Sequence, residues 1–168
     1  MEEITSTEQK KRPVFLVVLV VLSMISIVIG FFSAILNMLS GPMTEEMLET
    51  YTANQYESIA VMRDLNSEGL ANIIEQILQM TIYQNNEAFF SFHFLSLITV
   101  VVGFVGVMMM FRLQKLGFHL YIIYSLLPIL ILYILIPMNM IPSFVVIGSL
   151  LLSAVFVILY ALNLKHMR

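Results

Sequence analysis

The sequence predicts an all-α, polytopic membrane protein: a four-helix transmembrane bundle with an extracytoplasmic helical hairpin between helices one and two. Composition is the first reason. Of the 168 residues, 60% are hydrophobic and only 11% are charged, against about 45–50% and about 25% in an average soluble domain. The second reason is that four long apolar segments contain no Asp, Glu, Lys or Arg. The third is that nearly all basic residues fall on one side of these segments.

Each of the four apolar segments is long enough to cross a bilayer, which takes about 20 residues. The predicted spans are residues 14–40, 88–111, 116–136 and 141–164. Gly41-Pro42 ends the first span, and Pro128 is expected to kink the third, because proline has no amide hydrogen to donate. Residues 1–13 and 165–168 are left as short tails.

The segment 41–87, between the first two spans, is expected to form two helices. Thr44 followed by two glutamates is typical of a helix start, and Asn66–Gly69 indicates a break. In the second helix the apolar residues follow the helical period, which predicts a single apolar face. This candidate interaction face consists of Leu70, Ile73, Ile74, Ile77 and Leu78.

The apolar face of this second helix can be buried against the first helix of the segment, against lipid or against another protein. We favour an intramolecular hairpin that caps the bundle, since neighbours joined by a short loop usually pack together. Helices that lie on lipid usually carry Lys and Arg on their polar face, whereas this one carries Glu and Gln. A protein partner stays open as the third alternative, and the acidic surface of the segment would suit a basic one.

Charge distribution predicts the orientation. Eight of the eleven acidic residues lie in segment 41–87, and seven of the eight basic residues flank the spans on the opposite side: Lys10, Lys11, Arg12, Arg112, Lys115, Lys165 and Arg168. Basic flanks stay in the cytoplasm. Both termini are therefore expected in the cytoplasm and segment 41–87 outside, with the inner membrane of a bacterium as the location.

Small residues in the spans are expected to mediate helix packing, because they let backbones approach closely in lipid. The predicted packing residues are Ser26, Gly30, Ala34, Gly103, Gly106, Ser149 and Ser153. His93 is the one readily ionisable residue well inside a span. Such a residue is a functional candidate by default, although its position near the outer end favours a neutral, structural histidine.

Catalytic and cofactor chemistry finds little support in the sequence. The chain has no cysteine, and the common hydrolase, metalloprotease and phosphate-binding motifs are absent. His93 and His119 differ in depth by roughly 20 Å along the helices, too far to share a haem. The absence of a basic patch disfavours nucleic acid. We therefore expect no enzyme activity, no cofactor and no metal.

The run Lys115–Ile123, which follows a short basic turn, resembles small uncharacterised four-helix inner-membrane proteins of bacteria. That resemblance implies no activity. Two functions stay open. The first is a non-enzymatic accessory or scaffold subunit that contacts a membrane protein, a periplasmic protein or its own copies through segment 41–87 and its small-residue helix faces. The second is a small oligomeric channel or transporter for an unidentified solute. A pore needs polar lines such as Ser26–Ser33–Asn37 or Ser91–Ser96–Thr99 to face a symmetry axis, whereas a scaffold would bury them.

Overall fold

The structure, a computed structural model, describes residues 13–167. This part is 88% helical and contains no strand, which confirms the all-α class. Its α-helices are α1 (Val14–Ser40), α2 (Glu45–Asp64), α3 (Glu68–Tyr83), α4 (Phe89–Phe111), α5 (Lys115–Leu135) and α6 (Ser143–Ala161). Four helical stretches, built on α1, α4, α5 and α6, are long and apolar enough to cross a membrane. The predicted tail up to residue 12 and Arg168 lie outside the described residues.

Helix α4 is the centre of the bundle, because α1 packs along one side of it and α5 along another. Helix α6 packs against α5 and meets α1 at only a few points. The main core lies where α1, α4, α5 and α6 converge, near the end that carries Arg112, Lys115 and Lys165, which we call the basic end. Its buried side chains include Leu16, Leu19, Val107, Met110 and Tyr160.

Glycines allow α4 and α5 to approach closely. A Cβ atom on Gly117 would lie 2.5 Å from the backbone nitrogen of Met110 and 2.6 Å from the carbonyl oxygen of Gly106. A Cβ on Gly103 would lie 2.5 Å from the ring of Tyr124. These distances leave no room for a methyl group, so the tight contact between the two helices depends on glycine.

Two helix ends close with the same backbone motif. At the end of α4, Leu113 has a φ of 62°, its N–H donates to the carbonyl of Met110, and the N–H of Gln114 donates to that of Met109. This is the Schellman pattern, in which a left-handed residue ends the helix. At the end of α2, Asn66 takes the same role with a φ of 55°.

The α2–α3 hairpin has a small core of its own. Ile59 of α2 packs with Ala71 and Leu78 of α3, all three at most 2% exposed. The predicted cap at the start of α2 is present, since the Thr44 hydroxyl accepts a hydrogen bond from the N–H of Met47. Helix α3 also contacts the short turn Met138–Met140 between α5 and α6, so the hairpin lies against the end of the bundle opposite the basic one. We call it the hairpin end.

Helix α3 passes into α4 without a loop. The π-helical turn Gln84–Ala88 joins them, and at Ala88 the backbone departs from helical dihedral angles, with φ −120° and ψ 4°. Buried Asn85 fixes this turn to the linker after α1: its Oδ1 accepts from the N–H of Met43 at 2.8 Å, and its Nδ2 donates to the carbonyl of Met43 at 3.4 Å. The turn therefore connects the hairpin to α1 as well as to α4.

Pro128 lies inside α5, as the sequence indicated. Because proline has no N–H, the carbonyl of Tyr124 loses its usual helical partner. One residue further on, the carbonyl of Ser125 accepts a hydrogen bond from the Ser153 hydroxyl of α6 at 3.0 Å. A polar contact from the neighbouring helix therefore lies directly beside the proline. Proline inside a membrane-type helix is tolerated where a neighbouring helix supplies hydrogen bonds of this kind.

Candidate functional site

An open cleft runs along α1, on the side that faces α4, α5 and α6. It consists of two cavities, of about 310 Å³ toward the hairpin end and about 190 Å³ toward the basic end. Tyr124 and Pro128 border both cavities. The larger one is also lined by Gly30, Ser33, Ala34, Asn37, Phe92, His93, Ser96, Thr99, Val100 and Ile131. The smaller one is also lined by Ser23, Ser26, Tyr121, Ser125, Leu152, Ser153 and Phe156.

Short side chains on α1 create this cleft. Ser26, Gly30, Ser33 and Ala34 recur at helical spacing and face the gap. Gly30 is in van der Waals range of α4, since a Cβ there would lie 3.4 Å from Cγ2 of Val100. The α1–α4 contact is thus close, while the space beyond it, toward α5 and α6, stays unfilled.

Four hydroxyl groups along the cleft are already hydrogen-bonded to backbone carbonyls of their own helices. Ser26 donates to Leu22, Ser96 to Phe92, Thr99 to Leu95 and Ser125 to Ile122 at 2.8–3.3 Å. A hydroxyl that donates to its own helix in this way offers no free hydrogen to a ligand. The walls of the cleft are therefore less polar than their sequence suggests.

At the hairpin end of the cleft three polar side chains have no such partner. Among residues 13–167, none donates to or accepts from the side chains of Ser33, Asn37 or His93 within hydrogen-bond distance. The imidazole of His93 instead packs edge-on against Phe89 and Phe92, with ring centroids 4.6 and 5.7 Å away. All three line the larger cavity, so its mouth offers a hydroxyl, an amide and an imidazole.

At its basic end the cleft closes on a buried hydrogen-bonded cluster. The Tyr160 hydroxyl of α6 donates to Oγ of Ser23 on α1 at 2.9 Å, and the Tyr121 hydroxyl of α5 lies 3.5 Å from the same oxygen. The rings of Tyr121 and Tyr160 also pack together, with centroids 4.6 Å apart. The cluster joins three helices and separates the cleft from the basic end.

The candidate interaction face on α3 is divided between two environments. Leu78 is fully buried against α2, and Ile74 packs at the edge of the same small core. Ile73 and Ile77 are partly exposed, and Leu70 is 57% exposed. One side of the predicted face thus packs within the hairpin and the other side does not.

The predicted packing residues occupy several different contacts. Gly103 and Gly106 lie at the close approach of α4 to α5, and Gly30 lies against α4. Ala34 is buried beside the larger cavity, while Ser26 is exposed along the smaller one. The Ser153 hydroxyl donates a hydrogen bond to the carbonyl of Ser125 on α5. Ser149 is partly exposed on α6. The small residues of α1 thus border a cavity more than they fill an interface.

A third cavity, of about 490 Å³, lies between α3 and the turn joining α5 to α6. It is lined by Asn72, Glu75, Gln76, Gln79, Asn139 and Met140. The only ion pair among the described residues is formed here, between Arg63 on α2 and Glu75 at 2.7 Å. Because Arg63 neutralises this glutamate, the cavity presents mainly amide groups.

In the part of the chain that the structure describes, no group of three or more His, Cys, Asp or Glu side chains comes together. His119 is close to the carbonyl of Lys115 in its own helix.

No family model, curated protein or solved structure matches the chain. The candidate site is therefore defined by its geometry alone.

Two features, one at the basic end of the site and one at the α4–α5 contact, could not be predicted from the sequence. Tyr160 and Ser23 are 137 residues apart, and no local pattern connects them. Gly117 is as crowded as the predicted packing residue Gly103, and its two nearest neighbours are backbone atoms, although it stands outside the small-residue rows of the spans. A glycine in the first turn of a helix, after a short basic turn, is the one signal that could have marked it.

Proposed function

We propose that the chain is a multi-pass protein of a bacterial inner membrane, with both termini in the cytoplasm and the α2–α3 hairpin outside. The four apolar helical stretches support this placement. So does the separation of charge, because Arg112, Lys115 and Lys165 lie at one end of the bundle, and the acidic hairpin lies at the other. Basic loops stay on the cytoplasmic side during insertion.

In this membrane the protein acts as a non-enzymatic accessory or scaffold subunit. The observation that carries the proposal is the tip of the hairpin, where Leu65, Leu70 and Val61 are 71, 57 and 53% exposed. Outside the bilayer these side chains meet water, and exposed aliphatic groups close together on a surface favour a binding site for another protein.

The partner is expected to offer an apolar pocket with a basic rim. Glu57, Asp64 and Glu68 are exposed near the tip, and Arg63 is engaged with Glu75. A basic rim would meet these carboxylates, and such complementarity mainly raises the rate of association and excludes wrong partners.

A topology measurement tests the placement. A reporter that works only in the cytoplasm should be active when fused after Arg168 and inactive when inserted at Asn66, in the turn of the hairpin. The same reporter inserted at Gln114, between α4 and α5, should be active. Activity at Asn66 together with silence at Gln114 would reverse the orientation and remove the periplasmic partner from the proposal.

The interaction is tested with one substitution at two positions of α3. Leu70→Asp changes an exposed side chain and should leave the purified protein folded while abolishing photocrosslinking to a partner from a probe at residue 65. Leu78→Asp introduces a charge in the core of the hairpin. It should unfold the hairpin, because a buried leucine contributes about 1.5–3 kcal/mol. Unchanged crosslinking in Leu70→Asp would contradict a binding role for the tip.

A channel or transporter is the second candidate, favoured by Ser26, Ser33 and Asn37, which border an open cleft instead of packing against a neighbouring helix. The line they form stops at the Ser23–Tyr160 hydrogen bond. A pore would therefore need this bond to open or several copies to assemble. Solute flux into vesicles that contain the purified protein would favour this candidate over the scaffold.

A further inference from the structure

The open cleft along α1 has the composition of a ligand site. Its larger cavity, about 310 Å³, lies at the lower end of the usual range for small-molecule pockets, about 300–1,000 Å³. Such pockets are mostly apolar with a few convergent polar groups, and helix bundles place them between their helices. Val100, Phe92 and Ile131 provide apolar walls, while Asn37, Ser33 and His93 provide the polar groups.

The depth of the cleft matches one leaflet of a bilayer. Asn37, at the mouth, and Ser26, in the smaller cavity, are eleven positions apart on α1, which corresponds to about 16 Å along a helix. Half of the hydrocarbon core of a bilayer is about 15 Å thick. A chain that entered beside Asn37 would therefore end near the middle of the membrane, next to Pro128.

The distribution of free hydrogen-bonding groups gives the cleft a direction. Deep in the cleft, the hydroxyls of Ser26, Ser125 and Thr99 donate to their own helices. Tyr124 borders both cavities, and its hydroxyl makes no hydrogen bond to residues 13–167, so this part accommodates methylene groups beside one free hydroxyl. At the mouth, the amide of Asn37, the hydroxyl of Ser33 and the imidazole of His93 make no side-chain hydrogen bond to residues 13–167 and can donate to an acceptor. No charged side chain lines either cavity.

We propose that this cleft binds one glycerophospholipid of the outer leaflet. One of its two acyl chains lies along α1 toward Pro128, the other stays in the surrounding lipid, and its ester carbonyls accept hydrogen bonds from Asn37, Ser33 and His93. The cavity volumes, about 310 and 190 Å³, favour a chain over a protein segment, because a helix about 10–12 Å across and about 16 Å long would occupy more than about 1,000 Å³. This site rests on the membrane placement proposed above.

Lipid retention measures the site directly. The full-length protein is reconstituted into dioleoyl phosphatidylcholine vesicles, extracted in mild detergent and analysed by native mass spectrometry. About one phosphatidylcholine should stay bound per chain after exchange into lipid-free detergent. The double variant Ser33→Leu/Asn37→Leu, which fills the mouth and removes two donors, should lose at least tenfold in retained lipid. The control variant Val28→Leu, on the exposed side of α1, should retain it.

Fluorescence locates the bound lipid, because the chain has no tryptophan. Phe92→Trp introduces a reporter in the wall of the cleft, and Phe94→Trp introduces one at nearly the same depth on an exposed position of α4. In detergent, small additions of phosphatidylcholine with brominated acyl chains should quench residue 92 first. The difference should disappear in the Ser33→Leu/Asn37→Leu background.

Equal quenching at residues 92 and 94, or equal lipid retention in all variants, would overturn the site. A dimeric mass without lipid that reverts to monomer in the double variant would also overturn it, since a second copy would then occupy the cleft. These outcomes are distinct from failure of the membrane placement, which would appear as inactive reporters after Arg168 and at Gln114.

Discussion

At the scale of single residues, the bundle depends on glycines whose partners come from another helix. Gly103 and Gly106 could be predicted as packing residues because they lie three positions apart within a span. Gly117 could not, because its importance comes from the crossing point that puts it against Met110 and the carbonyl of Gly106. Local spacing therefore identifies some packing residues, whereas Gly117 and the partner of each packing glycine follow from the arrangement of the helices.

Alanine substitutions at two glycines test this contact. Gly117→Ala puts a methyl group where the backbone of α4 already lies, and overpacking of this kind costs about 1–3 kcal/mol. Gly148→Ala is the matched control, since a Cβ there has no neighbour within 4 Å, and alanine favours helix by up to about 1 kcal/mol. Thermal unfolding in detergent should show a lower Tm for the first variant and an equal or higher Tm for the second. An equal Tm for Gly117→Ala and the unmodified chain would contradict the close contact.

At the scale of helices, the apolar segments were predictable because hydropathy and length are local properties. The junction of α3 and α4 was not, because Gln84, Asn85, Asn86 and Glu87 together have the composition of a loop. They stay helical because the chain continues from α3 without a glycine or proline, and because Asn85 bonds to the linker after α1. The division of the α3 face was also beyond the sequence, since periodicity gives the face and not the neighbour that covers it.

Asn85→Ala tests how the hairpin is held to the bundle. The substitution removes both hydrogen bonds between the Asn85 side chain and Met43. The backbone N–H of Met43 then has no acceptor, and the loss of a partner typically costs about 1–3 kcal/mol for a buried donor. We expect a lower Tm and faster hydrogen exchange in residues 41–50. Asn54→Ala, on an exposed position of α2, serves as the control. Unchanged exchange in the Asn85 variant would mean that this bond does not hold the hairpin.

At the scale of the whole molecule, packing is uneven across the bundle. Helix α4 contacts both α1 and α5, whereas α6 is joined mainly through α5 and through Tyr160 near its end. The sequence did not reveal this difference, because all four spans have similar composition and burial depends on where each one docks. The cleft has the same origin, since it is the space that α6 leaves open beside α1.

This unevenness predicts an order of local stability. In detergent, the first half of α6, residues 143–152, should exchange its amide hydrogens faster than the central part of α4, residues 99–110, because protection follows the number of buried contacts. Hydrogen-exchange mass spectrometry on the purified chain provides the measurement. Slower exchange in α6 than in α4 would show that α6 is bound more firmly than its contacts imply.

The π turn at residues 84–88 sets the rotational phase of the hairpin. Successive residues of an α-helix are about 100° apart around its axis, and a π turn accommodates one extra residue within an otherwise continuous helix. A chain that lacked Asn86 would keep α3 and α4 as helices but would turn one by about 100° relative to the other. Leu70 and the rest of its face would then point in a new direction above an unchanged bundle. One inserted residue therefore determines which side of the hairpin a neighbouring molecule meets.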